Sequence, residues 1–160
     1  MAKQFRIGHG FDVHRFRRGR QLILGGVELP SPTGLLGHSD ADVVLHSIMN
    51  ALLGAMCEGD IGTHFPDSDP RYKGIASAKL LDAVLAIMRR KRFKIVNVDV
   101  TLMAQRPKLS PHYSAMRKSV AGLLKLAERD VSIKASTTEK LGWIGKAQGM
   151  AGTAVVLLSR

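Results

Sequence analysis

The hydrophobic period changes repeatedly along this chain, which limits it to folds containing both strands and helices. Residues 96–104 place Val96, Val98, Val100, Leu102 and Ala104 at every second position, the pattern of a strand with one buried face. Residues 5–13 alternate in the same way, and residues 21–29 read as a second strand, interrupted by Gly25 and Gly26. Pro30, Pro32 and Gly34 mark a loop, after which the period becomes helical. Ala41, Val44, Leu45, Ile48, Leu52 and Met56 form one apolar stripe, with Ser39 as the expected N-cap and Asp42 in the first turn. Residues 60–74 are rich in Asp, Gly and Pro and read as a loop. Ala76, Leu80, Val84, Ile87 and Met88 mark a helix over residues 76–91. Ser110-Pro111 starts another, with Tyr113, Met116, Val120, Leu123, Leu124 and Ala127 as its stripe. Strands over 131–137 and 152–158 complete the order β-β-α-α-β-α-β-β. That order predicts an α+β two-layer sandwich: a mixed, mainly four-stranded sheet with helices on one face, plus a small hairpin. The other sheet face needs cover, and oligomerisation is the simplest source of it.

A length of 160 residues fits one domain spanning 1–160, large enough to bury roughly 70% of its extended surface. No stretch approaches the ~20 continuous apolar residues of a membrane span. The start, Met1-Ala2-Lys3-Gln4-Phe5-Arg6, runs directly into a strand and has no apolar signal core. The single Cys57 cannot form an intrachain disulfide, which suits a reducing compartment. A cytoplasmic protein without membrane contact is the expectation.

The net charge of +11 invites a nucleic-acid partner, but its distribution speaks against one. One basic cluster, residues 14–20, reads as a loop after a strand. The other, residues 89–94, closes a helix, where cations complement the macrodipole. Five Phe, two Tyr and one Trp are not interleaved with the basic residues as stacking platforms would be.

Asp12 and His14 stand two apart and share one side of a strand, while His46 lies in the first strongly helical stretch. If His46 folds against that strand, two imidazoles and a carboxylate make a three-ligand site. That set suits zinc, and the open fourth position marks a catalytic site. The plainer alternative is a pair of strand-end polar residues and a helix-surface histidine, since Asp42, His46 and Asn50 form a polar stripe at four-residue spacing. Three further segments can handle phosphate. His38-Ser39-Asp40-Ala41-Asp42 lies at a helix N-terminus, which is equally explained as a simple cap. Ser136-Thr137-Thr138-Glu139 follows a strand and offers hydroxyls and a carboxylate to phosphate and a hard cation, though hydroxyl runs are also common in exposed strands. Residues 104–110 combine Arg106 and Lys108 with backbone amides, as an ordinary surface connection also would. No Walker-type loop and no Gly-x-Gly-x-x-Gly fingerprint is present. From these residues the chemistry is metal plus phosphate, and the substrate stays open.

Five segments in order are highly specific together: residues 6–14 (RIGHGFDVH), 34–46 (GLLGHSDADVVLH), 59–70 (GDIGTHFPDSDP), 97–112 (NVDVTLMAQRPKLSPH) and 131–143 (VSIKASTTEKLGW). On these the chain resembles the 2-C-methyl-D-erythritol 2,4-cyclodiphosphate synthases of the non-mevalonate isoprenoid pathway, from about Arg6 to Leu158. The resemblance implies a homotrimer with active sites between subunits. It implies conversion of 4-diphosphocytidyl-2-C-methyl-D-erythritol 2-phosphate to the cyclic diphosphate plus CMP. Asp12, His14 and His46 then carry zinc, Glu139 helps hold magnesium or manganese at the diphosphate, and His38 and Thr137 stabilise the transition state. Asp60, Gly62 and the segment Ala104, Gln105, Arg106, Pro107, Lys108, Leu109 and Ser110 match the cytidine-diphosphate side. Phe65, Pro66, Asp67, Ser68 and Asp69 match a loop over the methylerythritol part. Val13, Ser39, Ile61, Ser136, Thr138, Trp143 and Lys146 complete the substrate-binding set. Lys146 and Gln148 stand where many members carry Arg and Glu, so the charge is kept there and the bidentate fork is lost.

Three other classes remain in competition on the residues alone, one of them a purely structural trimer with a vestigial metal site. A basic RNA- or DNA-binding protein would bind nucleic acid in a salt-sensitive way without metal. A zinc hydrolase of another phosphoester would release inorganic phosphate.

Overall fold

The structure, a computed structural model, describes residues 3–160; Met1 and Ala2 of the N-terminal segment lie outside the described residues. The main sheet has five strands: β1 (Phe5–Arg18), β4 (Thr33–Leu35), β5 (Lys94–Met103), β6 (Val131–Ser136) and β7 (Gly149–Ser159), in the order β4-β1-β7-β5-β6. β7 pairs antiparallel with both β1 and β5, and β6 runs parallel to β5. The sheet therefore has one strand more than the four expected. The extra strand, β4, comes from the proline- and glycine-marked loop and pairs Leu35 with Phe16. It can do so because β1 continues to Arg18, past the expected end at residue 13.

Residues 21–29 are not one interrupted strand. They fold as a separate hairpin, β2 (Leu22–Leu24) and β3 (Val27–Leu29), with Gly25 and Gly26 as its two-residue turn. Both glycines have positive φ (61° and 75°), the conformation that a tight hairpin turn of matching twist demands.

Helix α1 (Val43–Ala55) starts later than expected, and its N-cap is Asp42 rather than Ser39. Ala41 adopts φ 59°, which interrupts any helix running from Ser39. The Asp42 carboxylate accepts from the Val44 and Leu45 amides at 3.1 Å, and from Gly25 and Gly26 at 2.8 and 2.6 Å. One buried side chain thus caps α1 and ties it to the hairpin turn. The helix is buried on nearly every side, so Asp42, His46 and Asn50 do not form a solvent stripe.

α1 lies directly on the backbone of β1. A Cβ on Gly8 would come within 1.9 Å of the Ala51 carbonyl oxygen, and one on Gly10 within 2.0 Å of that of Ser47. Only glycine allows this approach, which brings the start of α1 down onto the next residues of the same strand face, Asp12 and His14.

α2 (Ile61–His64) and a 3₁₀ turn at Pro70–Tyr72 punctuate the segment expected to be a loop. α3 (Ser77–Arg90) packs beside α1. A 3₁₀ turn at Ser110–His112 leads into α4 (Tyr113–Leu124), and α5 (Gly142–Gly145) is a single turn. The helices share one core with the inner sheet face. On the outer face of β1 and β7, Phe5, Ile7, Phe11, Val13 and Val155 stand exposed, with Ile7 at 74%. These apolar side chains lie along one sheet face instead of being scattered singly.

Candidate active site

The site begins on β1, where alternation sends Asp12 and His14 to the helix-covered face. The close α1–β1 contact lowers His46 onto them. Asp12 Oδ2 lies 2.9 Å from His14 Nε2 and 3.0 Å from His46 Nδ1, and the two imidazole nitrogens are 3.1 Å apart. Tetrahedral zinc with bonds of ~2.0–2.1 Å spaces its ligand atoms by roughly 3.3 Å, so this triangle needs only slight expansion. The far nitrogens are also engaged. His14 Nδ1 donates to the Leu36 carbonyl at 3.0 Å, and His46 Nε2 lies 2.8 Å from Ser77 Oγ and 3.2 Å from Ser39 Oγ. This pattern aims one nitrogen of each ring at a common point, as zinc ligation requires. The donor set and its outer partners fit a zinc ion.

The electrostatics agree. Burial pushes the Asp12 carboxyl up, but hydrogen bonds and charge from His14 and His46 outweigh it and hold the group down at about 2. Asp12 is ionised across the physiological range. Burial pulls His14 down, and the Asp12 hydrogen bond and charge outweigh it and raise the imidazole.

The cluster forms one wall of a cleft of about 530 Å³. His38, Ser39, Ile61, Gly62, Phe65, Pro66 and Asp67 line it, as do Leu36, Gly37, Tyr72 and Leu80, which carry no site signal in residue type or spacing. His38 Nε2 is buried there without a hydrogen-bond partner. A buried polar atom of this kind is costly unless a ligand engages it. Asp60 caps α2 by accepting from the Thr63 amide at 2.8 Å and its hydroxyl at 2.9 Å; it shapes this wall without facing the cleft. Asp69 accepts two bonds from Arg71 Nε and one from Nη2, and neither Ser68 nor Asp69 lines the cleft. Val13 stands between Asp12 and His14, so its side chain is on the opposite sheet face, 42% exposed.

The remaining residues gather elsewhere. Ala104, Gln105, Arg106, Pro107, Lys108, Leu109 and Ser110 line a second cleft with Ser136 and Thr137. Thr137 Oγ1 donates to Glu139 Oε1 at 2.9 Å, and the Thr138 hydroxyl donates to the Leu141 carbonyl at 2.8 Å. Lys146 faces a neighbouring hollow with Gln105, Arg106 and Lys140, while Trp143 is 42% exposed. The register shows how far apart the two groups are. Asp12 pairs with Gly152, Gly152 with Leu102 and Leu102 with Ala135, so three strand spacings separate Asp12 from the strand that leads to Glu139. That is roughly 14 Å of backbone separation. One chain therefore does not bring the zinc-type cluster and the Thr137–Glu139 pair into one cleft.

Comparison with known proteins follows the same lines. The YgbB family profile matches residues 5–159. A 2-C-methyl-D-erythritol 2,4-cyclodiphosphate synthase of Halalkalibacterium halodurans is 56% identical over 153 residues, covering 96% of this chain and 98% of that protein. A solved 2C-methyl-D-erythritol-2,4-cyclodiphosphate synthase with bound CDP superposes with a TM-score of 0.88 at 38% identity, over 96% of this chain and 99% of that one. The bifunctional IspDF of Campylobacter jejuni superposes with a TM-score of 0.95 at 42% identity; it covers 99% of this chain, which spans only 43% of that longer protein. With identity above half across almost the entire sequence and the same fold from β1 to β7, the chain belongs to the YgbB family, the 2-C-methyl-D-erythritol 2,4-cyclodiphosphate synthases.

Proposed function

We propose a mechanism for this chain in which a homotrimer assembles each active site from two neighbouring subunits. The chain is a phosphorus–oxygen lyase of non-mevalonate isoprenoid biosynthesis. It converts 4-diphosphocytidyl-2-C-methyl-D-erythritol 2-phosphate to 2-C-methyl-D-erythritol 2,4-cyclodiphosphate and CMP. An oxygen of the 2-phosphate attacks the β-phosphorus, the bond to the oxygen bridging towards the α-phosphorus breaks, and CMP leaves as an anion. The nucleophile is already ionised, so neither partner needs a strong protein acid or base. What the protein must supply is in-line geometry and relief of crowded negative charge.

The observation that carries this reading is the Asp12–His14–His46 triangle in the wall of a cleft large enough for a small phosphorylated substrate. These three residues would hold zinc, and Glu139, with Thr137 hydrogen-bonded to it, would support magnesium or manganese. When bound, the two ions neutralise charge on the phosphates. His38, which lines the same cleft, donates to a phosphate oxygen, a role supported by its unpartnered buried nitrogen. Phe65, Pro66 and Asp67 enclose the methylerythritol part. Residues 104–110 and Ser136 receive the cytidine end, where Arg106 and Lys108 add positive charge. The existence of a CDP complex of a relative supports a cytidine subsite.

The trimer rests on two observations: the exposed apolar row on the outer sheet face, and the separation of Glu139 from Asp12 within one chain. The chain acts as one domain over residues 1–160 on a small molecule in the cytoplasm, without a nucleic-acid partner. No helix among the described residues is long and apolar enough to cross a membrane.

Shared sites have a direct test. His46→Ala and Glu139→Ala are each expected to be inactive as pure trimers. Mixed under subunit exchange, some trimers contain one site with neither substitution, and activity should return. No recovery despite demonstrated exchange would contradict sites built from two chains.

A further inference from the structure

We infer that Ser77 and Asp40 are positioning residues that fix the proton of His46 on Nε2 and so keep its Nδ1 lone pair directed at the metal. This rests on the reading of Asp12, His14 and His46 as the zinc ligands. The two histidines solve the same problem differently. The far nitrogen of His14 faces the Leu36 carbonyl, which can only accept, so that ring must carry its proton on Nδ1. The far nitrogen of His46 faces two hydroxyls, Ser77 Oγ at 2.8 Å and Ser39 Oγ at 3.2 Å. A hydroxyl can donate or accept, so by itself it does not choose a tautomer.

Asp40 removes that ambiguity. Its carboxylate accepts from the Ser77 hydroxyl, from the Ser77 amide at 3.0 Å and from the Asp42 amide at 3.2 Å. The one proton of the Ser77 hydroxyl is therefore committed to Asp40, and Ser77 Oγ can only accept from the imidazole. His46 must then carry its proton on Nε2. Its Nδ1, on the Asp12 and His14 side, would then be left unprotonated and free to ligate a cation. The result is a carboxylate–hydroxyl–imidazole series behind one ligand, in which each donor points away from the metal. Such outer partners typically change metal affinity 10–100-fold.

The same geometry locks the helices. Ala76 offers α3 no side-chain cap, and Asp40 takes that part by accepting the Ser77 amide across the chain. The series thereby ties α3 to α1 through His46, and to β1 through Asp12. Ser77 is fully buried and belongs to none of the five segments that carried the family resemblance.

The test compares wild type, Ser77→Ala, Ser77→Thr and Asp40→Asn, each stripped of metal and titrated with zinc against a chelator of known affinity. Ser77→Ala keeps the amide bond to Asp40 but leaves His46 only the uncommitted Ser39 hydroxyl. Its zinc affinity should fall 10–100-fold, while the Tm of its metal-free form stays within a few degrees of wild type. Ser77→Thr restores the hydroxyl and should recover most of the affinity. Asp40→Asn should lose affinity as well, together with some helix stability. In the zinc-loaded wild type, long-range proton–nitrogen NMR should show the proton of His46 on Nε2. Zinc affinity unchanged in Ser77→Ala, or a zinc-loaded His46 protonated on Nδ1, would overturn the proposal and leave the ligand assignment standing. Wild-type protein that binds no zinc would instead overturn that assignment.

Discussion

His46→Ala should bind no zinc at micromolar metal and should lose on the order of 10³-fold in turnover, comparable with removing a principal electrostatic stabiliser of a transition state. Only two of the three proposed ligands, Asp12 and His14, would remain on β1, and two are too few for a zinc site. The helix should survive, because alanine is the best helix former and the close packing of α1 on β1 depends on Gly8 and Gly10 rather than on the imidazole. Metal content by atomic emission, far-UV circular dichroism and CMP release together check the prediction. A folded variant that retains one zinc per chain would remove His46 from the ligand set.

Glu139→Gln should behave differently. It keeps the shape and the contact with Thr137 but removes the charge proposed to support a second cation. Magnesium binds oxygen ligands and needs only one or two protein carboxylates, so the loss of one matters. Turnover should fall about 10²-fold. The response to added magnesium should flatten, and zinc content should stay at the wild-type level, since the strand that leads to Glu139 stands three strand spacings from Asp12 in the same chain and the two residues line no common cleft. Loss of zinc in this variant, or full activity with an unchanged magnesium requirement, would show that Glu139 has another role.

The parts of the fold that were legible from sequence are those with an unambiguous period. The alternation of Val96, Val98, Val100 and Leu102 locates β5 within two residues at either end, and the stripe on α3 does the same for that helix. β4 has no such signal: three residues, Thr33, Gly34 and Leu35, pair only because β1 extends beside them. The start of α1 differs from the expected one for a similar reason. Ser39 is a good cap by residue type, but the left-handed Ala41 and the pull of Gly25 and Gly26 on Asp42 are tertiary effects.

The candidate site divides along the same line. Asp12 and His14 share a strand face by period alone, and their join to His46 depends on the nearness of α1 to β1. The glycines at positions 8 and 10 are the sequence trace of that nearness. Asp40 lies inside a segment already singled out for phosphate, whereas Ser77 meets His46 only in three dimensions, 31 residues away along the chain.

The reaction itself is most directly tested by phosphorus NMR on the purified, metal-loaded protein with 4-diphosphocytidyl-2-C-methyl-D-erythritol 2-phosphate. Intramolecular attack of the 2-phosphate on the β-phosphorus predicts two coupled resonances of a cyclic diphosphate growing in step with CMP, one for one, with no inorganic phosphate. Release of inorganic phosphate, or of CMP with an uncyclised methylerythritol bisphosphate, would mean that water is the nucleophile and would contradict the cyclisation.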